Sequence, residues 1–343
     1  MNLQATRAVP TRIHGGTDAL GLPAFDFSTN SNACGPCPVA QLAITQADAT
    51  RYPDPSYTTL RGKLAAFHGV EPWRIVIAGS ASEFIFRITA LAKLQGVSAV
   101  FMPPHSFGDY THAAHAWGLS MSMNAKDADL VWHCQPSSPL GQVSADDMDL
   151  SPRAIHVLDL AYAPLQLSGK KKANAGRHDT VWQLYSPNKA LGLTGVRAAY
   201  AVAPLGSDLL VNQLAALSAS WPLGAHGVAL LDSWVTADVQ DWLADSLHTL
   251  QVWKTRQTEL LASLAWTCQP SVTNFFCAAP KLADGFTLEQ ALAALRSQSI
   301  KLRDTASFGL PGQVRVSVQP PAAQDALQQA WLNIIKNRIK DMA

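Results

Sequence analysis

One lysine stands out for its surroundings. Lys189 sits in the run TVWQLYSPNKALGLTGVRAAY, where the apolar stretch Val181–Tyr185 breaks at Ser186-Pro187-Asn188. A glycine-rich turn follows, and Arg197 lies eight residues beyond the lysine. Asp159 ends another apolar run thirty residues earlier, at the head of Asp159-Leu160-Ala161-Tyr162. A lysine at a strand end, beside small polar residues and a carboxylate delivered by a second strand end, suits Schiff-base chemistry. The amine condenses with an aldehyde, and the acid keeps a pyridine nitrogen protonated. A pyridoxal-phosphate (PLP) enzyme requires that arrangement.

The elements that must position these residues are legible as short apolar runs. Ile75–Ala78, Ala99–Met102, Leu130–His133, Ile155–Leu158, Val181–Tyr185 and Ala198–Val202 read as buried strands. Helical periodicity lies between several of them, notably Glu83–Leu94 and Tyr110–Trp117. Strands alternating with helices imply an α/β fold with a mostly parallel sheet covered on both faces. After Pro204 the pattern turns to long helices, Asp208–Ser218 and His226–Leu264. Strand-like Asn274–Cys277 and Gln313–Val318 then alternate with helical Leu288–Ser297 and Ala322–Lys336, which is α+β character. The expected organisation is an N-terminal arm (1–50) packing on the rest, a large domain with a long linking helix (51–264), and a small C-terminal domain (265–343).

The 343 residues suffice for these parts, and 48% hydrophobic residues supply a generous core. A net charge of +1 gives no case for nucleic acid or an anionic membrane. The triplet Lys170-Lys171-Lys172 reads as a solvated loop. No run of eighteen apolar residues is present and the N-terminus has no apolar signal core, so neither a membrane span nor a secretory leader is expected. Five scattered cysteines point to reduced thiols and a cytoplasmic setting.

In an open parallel sheet, ligands bind beyond the carboxyl ends of the strands. Gly79-Ser80-Ala81-Ser82 follows one strand and opens a helix, which makes a phosphate cradle from free backbone N–H groups. Phe107 follows another strand and is placed to lie against a flat ring; Arg197 is suited to clamping a phosphate.

These motifs resemble the class I/II aminotransferase family of PLP enzymes, fold type I, over almost the full chain. YSPNKALGLTGVRAAY is similar to the family's S-x-S-K-x-x-G-L-x-G-x-R-x-G-Y block, DLAY to its D-E-A-Y, and RYPDPSYTTLRGKLAAFHGV to the R-Y-P-D-P segment of the histidinol-phosphate aminotransferase branch. His14-Gly15-Gly16, FDFSTNSNACGP and LRDTASFGLPGQVRVSV resemble segments of threonine-phosphate decarboxylases of the cobalamin pathway.

The resemblance implies a seven-stranded, mostly parallel sheet, a PLP cofactor and a homodimer with shared active sites. It implies that Lys189 carries the Schiff base, that Asp159 pairs with the pyridine nitrogen, that Tyr162 donates to the ring's phenolate oxygen and that Phe107 stacks on the ring. Ala81, Ser82, Ser186, Arg197 and a partner subunit's Tyr52 would hold the cofactor phosphate. Arg315 would take a substrate carboxylate, and Arg303, with His14 and Asn32, a distal phosphate. Two positions depart from the pattern: Ser138 replaces the asparagine that bonds the phenolate oxygen, and Asn188 replaces the second serine of S-x-S-K.

The substrate implied is a small phosphorylated amino acid. The His14-Gly15-Gly16 and FDFSTNSN segments favour L-threonine phosphate decarboxylation, with a histidinol-phosphate-type aminotransferase as the alternative; a PLP-binding protein without turnover is the reading from a different class. Two rival motifs carry less. Cys34-Gly35-Pro36-Cys37 has the thioredoxin-type spacing, but Pro38 follows directly and no compact βαβ domain surrounds it. His105, His112 and His115 lack a carboxylate or cysteine to complete a metal set, so no metal is expected.

Overall fold

A computed structural model describes residues 14–143, 150–169 and 179–342, without the side chains of 338–342. The triplet Lys170-Lys171-Lys172 lies outside the described residues. After β1 (Phe25–Asp26), helices α1 (Pro38–Thr45) and α2 (Thr58–His68) lead into β2 (Ile75–Ala78) and α3 (Ala81–Leu94). Next come β3 (Ala99–Phe101), α4 (Gly108–Ala116), β4 (Ser120–Met121), β5 (Leu130–Cys134), β6 (Ile155–Asp159), β7 (Trp182–Tyr185) and β8 (Ala199–Val202). Three helices follow, α5 (Asp208–Ala216), α6 (Ala225–Trp234) and α7 (Ala237–Ser263). The chain closes with β9 (Thr267–Cys268), β10 (Phe275–Ala279), α8 (Leu288–Ser297), β11 (Ile300–Lys301), β12 (Arg303–Asp304), β13 (Val314–Ser317) and α9 (Pro321–Met342).

Seven strands form the main sheet in the order β2-β8-β7-β6-β5-β3-β4. All neighbours are parallel except β8, which runs against both β2 and β7. That reversal matters for the site. It brings the start of β8, and Arg197 just before it, to the same edge as the carboxyl ends of the parallel strands. Side chains alternate between two cores: Ile75 and Ile77 of β2 face one, Val76 and Ala78 the other. The first core takes α1, α2, α6 and α7; the second takes α3, α4 and α5. A buried strand pressed on both faces needs apolar residues throughout, which is why these runs are continuous rather than alternating.

A four-stranded antiparallel sheet, β12-β13-β10-β9, forms the C-terminal domain with α8 and α9. The N-terminal segment is joined to it, not merely laid over it: β1 pairs in parallel with β11, Phe25 opposite Ile300. Asp18 adds ion pairs to Arg296 at 2.9 Å and Lys301 at 2.7 Å.

Three boundaries differ from the sequence reading. The expected helix His226–Leu264 is two, because Thr236 leaves the helical region (φ −80°, ψ 149°) and its hydroxyl donates to Ser233 O. α1 interrupts the arm, started by Pro38 in its first turn, where a missing N–H costs nothing. β4, two exposed residues at the sheet edge, has no apolar run to betray it. Among the described residues no helix is long and apolar enough to cross a membrane.

Candidate active site

A cavity of about 690 Å³ opens over the shared edge of the main sheet and faces β12 and β13. Lys189 lines it, four residues past β7, with Nζ 3.4 Å from Ser186 Oγ and 5.4 Å from the centre of the Tyr162 ring. Asp159, the last residue of β6, is buried on the adjacent strand. Its Oδ1 accepts the Ala161 N–H at 2.9 Å and its Oδ2 accepts the Tyr110 hydroxyl at 2.6 Å. Burial pushes the Asp159 carboxyl up, while those two donors and the Lys189 charge pull it back. The carboxylate is thus buried yet supplied with donors and a nearby cation.

Ser80, Ala81 and Ser82 line the cavity at the start of α3, where Ser80 Oγ caps the helix by accepting the Glu83 N–H at 3.0 Å. That leaves the first-turn N–H groups at the cavity. Ser186 and Arg197 line the same region, and Arg197 forms no ion pair with a described carboxylate. A helix N-terminus, a hydroxyl and an uncompensated guanidinium fit a phosphate. Phe107 caps α4 at the wall, its ring 6.2 Å from that of His14. The donor set fits PLP: an amine for the aldehyde, an acid for the ring nitrogen, an aromatic face, and an anion cradle.

Toward the C-terminal sheet, Arg315 of β13 is buried beside Ser138, with Nη1 donating to Ser138 Oγ at 3.3 Å and Nη2 to Ser28 O at 3.1 Å. Its Nε has no partner among the described residues. Arg303 of β12 donates through Nη2 to Ser307 Oγ at 2.7 Å. Both guanidiniums stand over the Phe308 ring, at 4.9 Å for Arg303 and 5.6 Å for Arg315. Burial lowers the proton affinity of Arg303, to about 10, and the neighbouring Arg315 adds to the effect. Burial likewise lowers that of Arg315. Two cations held this close favour anionic groups between them.

Two expected site residues do not line this chain's cavity, Tyr52 being expected at a partner's. Asn32 is buried behind the cavity: its Nδ2 donates to Ala190 O and Ser246 Oγ, and its Oδ1 accepts the Cys34 N–H. With both ends of its amide engaged, it does not reach the cavity, and Asn30, two residues earlier, does so instead through a 3.3 Å bond to Tyr162 Oη. Tyr52 is 78% exposed, stacked on Trp221 at 4.4 Å, and is absent from this chain's cavity wall. The sequence reading missed Ser28, Thr29, Ser307 and Phe308, all of which line the cavity. Their motif segments were visible, but nothing in spacing alone says which side of a loop faces inward.

Asn188 donates to Thr194 O and Val196 O at 3.4 Å each, so its amide hydrogens serve the turn and its Oδ1 has no partner among the described residues. The pair Cys34 and Cys37 are free thiols, Cys37 fully buried and Cys34 pushed up to about 11 by burial, the opposite of an activated nucleophile. His105 meets Phe308 O at 2.7 Å, and His112 lies 3.7 Å from Asp109.

A family model described as aminotransferase class I and II matches residues 23–330. Histidinol-phosphate aminotransferase 1 of Thiobacillus denitrificans is 28% identical over 335 residues, covering 87% of this chain and 83% of its own. The structure of histidinol-phosphate aminotransferase from Sinorhizobium meliloti in complex with pyridoxal-5′-phosphate superposes with a TM-score of 0.80 at 21% identity, covering 98% of this chain and 99% of that one. L-threonine-O-3-phosphate decarboxylase from Porphyromonas gingivalis superposes with a TM-score of 0.71 at 20% identity, covering 87% and 95%.

Proposed function

We propose that this chain, which belongs to the class I and II aminotransferase family and uses pyridoxal phosphate, transfers the amino group of a small phosphate-bearing amine to a keto acid, as a histidinol-phosphate-type aminotransferase. The observation that carries the substrate class is the pair Arg303 and Arg315, both standing over Phe308 in the cavity that holds Lys189. The relative from Thiobacillus denitrificans, named for amino transfer, supports that reaction over the decarboxylation that the sequence motifs favoured.

When bound, pyridoxal phosphate supplies an aldehyde that captures an amine and a ring that absorbs the negative charge left at Cα. Lys189 Nζ would hold the aldehyde and would move the proton at Cα. Asp159 would keep the ring nitrogen protonated. Tyr162, which accepts a hydrogen bond from Asn30, would donate to the ring oxygen, and Ser138 lines the cavity where the family has asparagine. Ala81, Ser82, Ser186 and Arg197 would bind the cofactor phosphate, and Phe107 would lie against the ring. Arg315 binds a carboxylate of the keto acid, and Arg303 with His14 binds the substrate phosphate. Tyr52, projecting from the surface, completes the phosphate site of a second subunit in a homodimer.

A second reading keeps one observation of its own. Gly15 packs so closely on Ser28 that an added Cβ would stand 2.1 Å from Ser28 O, which seats His14 at the cavity wall. His14, Arg303 and Arg315 all line the cavity, a set that suits a substrate carrying both a phosphate and a carboxylate. Incubation of the PLP-loaded enzyme with histidinol phosphate and 2-oxoglutarate tests the main reading, which expects glutamate to form. Carbon dioxide release from L-threonine phosphate without any keto acid, and no glutamate, would replace it with the decarboxylase.

A further inference from the structure

We propose that Tyr110, a residue behind the cavity wall, is a positioning residue that holds Asp159 ionised and aimed at the cofactor's ring nitrogen; the inference rests on the cofactor assignment above. Tyr110 is fully buried in the first turn of α4, three residues after Phe107. Its hydroxyl donates to Asp159 Oδ2 at 2.6 Å, within the short range of bonds to a charged acceptor.

The ring is fixed independently of that bond. It stacks on Trp132 of β5 at 4.4 Å and 12°, and meets Phe107 edge-on at 5.9 Å and 86°. A phenol locked by stacking loses little further freedom when it donates, so its hydroxyl presents a fixed direction to the carboxylate. One turn of α4 therefore supports two cofactor contacts at once: Phe107 against the face of the ring, and Asp159 against its nitrogen.

The electrostatics give the bond its purpose. A carboxylate buried this deeply is driven toward its neutral form, and a neutral carboxyl holds no pyridine nitrogen protonated. The groups facing Asp159 are few. Tyr110 comes from α4, the Ala161 N–H from the chain after β6, the Cys134 thiol from the end of β5, and Lys189 from beyond β7. Burial and the Asp159 charge keep the Tyr110 phenol protonated well above its ordinary range, and burial also keeps the Cys134 thiol protonated. Tyr110 is thus a donor at every working pH, and with the Ala161 N–H it gives each carboxylate oxygen one fixed hydrogen bond. Each oxygen keeps further lone pairs for the ring nitrogen.

The test uses the PLP-loaded enzyme and Tyr110→Phe, which keeps the stack and removes one donor. The readouts are the pH midpoint at which the visible band of the bound cofactor shifts, and the cofactor dissociation constant. We expect Tyr110→Phe to move the midpoint and to weaken cofactor binding about tenfold, the order of one lost hydrogen bond to a charged group. Neither change is expected when the substitution is made in an Asp159→Asn background, because the two residues act as a unit. Trp132→Phe, which alters the stack but leaves the hydroxyl, should lower Tm while leaving the midpoint in place. An unmoved midpoint and unchanged dissociation constant in Tyr110→Phe, or equal losses in both backgrounds, would overturn the role. A parent enzyme with no visible band would instead overturn the cofactor assignment on which it rests.

Discussion

At the residue scale, the chemistry hangs on charges that lack an opposite charge of their own. Arg197 and Arg315 form no ion pair with a described carboxylate. An arginine left so in a cavity is held ready for an anion. Arg197→Met is expected to weaken cofactor retention at least tenfold with little change in Tm, measured by equilibrium dialysis of the cofactor. Arg315→Lys is expected to raise KM for the keto acid by ten- to a hundredfold, since an ammonium cannot reproduce the two-pronged contact. Arg197 was legible in the sequence from its place eight residues after Lys189, and Arg315 only through the family resemblance. Tyr110 was not: a tyrosine inside a helical run reads as core, and only the fold shows that its hydroxyl ends on Asp159. Asn32 misled for the converse reason. Its motif neighbours do line the cavity, but a shift of two residues decides which asparagine turns inward.

At the scale of elements, the loop between β9 and β10 deserves tests because three site-bearing segments meet there. Val272 N–H donates to Gly141 O, Leu167 N–H donates to Val272 O, and Asn274 Nδ2 donates to Ser31 O. Lys254 of α7 clamps the loop, its Nζ donating to Ser271 O and Thr273 O at 2.7 Å each. Burial pulls the Lys254 ammonium down to about 8. The unfolded chain, with an ordinary lysine near 10.5, then binds more protons than the folded one between those values, so this residue's contribution to stability rises with pH across that window. Denaturation of the parent and of Lys254→Met at pH 8 and pH 10 should show the difference growing in the parent's favour. Gly141 has φ +68°, and an added Cβ would stand 2.3 Å from Ser271 Oγ. Gly141→Ala is expected to cost about 1–3 kcal/mol of stability by strain and displacement of the loop, read from Tm. Strands were readable from their apolar runs, whereas the antiparallel course of β8 was not, because a buried strand looks the same in either direction. The long linking helix was overextended for a related reason: Thr236 breaks it through a backbone turn that leaves the apolar pattern uninterrupted.

For the whole molecule, the N-terminal segment is tied to the C-terminal domain by β1–β11 pairing and by the Asp18 ion pairs. The sequence showed an arm without periodicity but could not show what it joined, since two-residue strands carry no pattern. The exposed Tyr52–Trp221 stack gives the proposed homodimer its own test. Mixing Lys189→Ala with Tyr52→Ala chains should restore roughly a quarter of parent activity, because half of the dimers would be hybrids with one intact site each. No recovery would mean that Tyr52 serves no second subunit. The proposed function rests on Lys189 as the residue that would hold the cofactor. Borohydride reduction of the PLP-loaded enzyme followed by peptide mapping tests that most directly. The pyridoxyl group is expected on Lys189 alone and none in Lys189→Ala; a label on another lysine such as Lys254, or no label at all, would contradict the assignment.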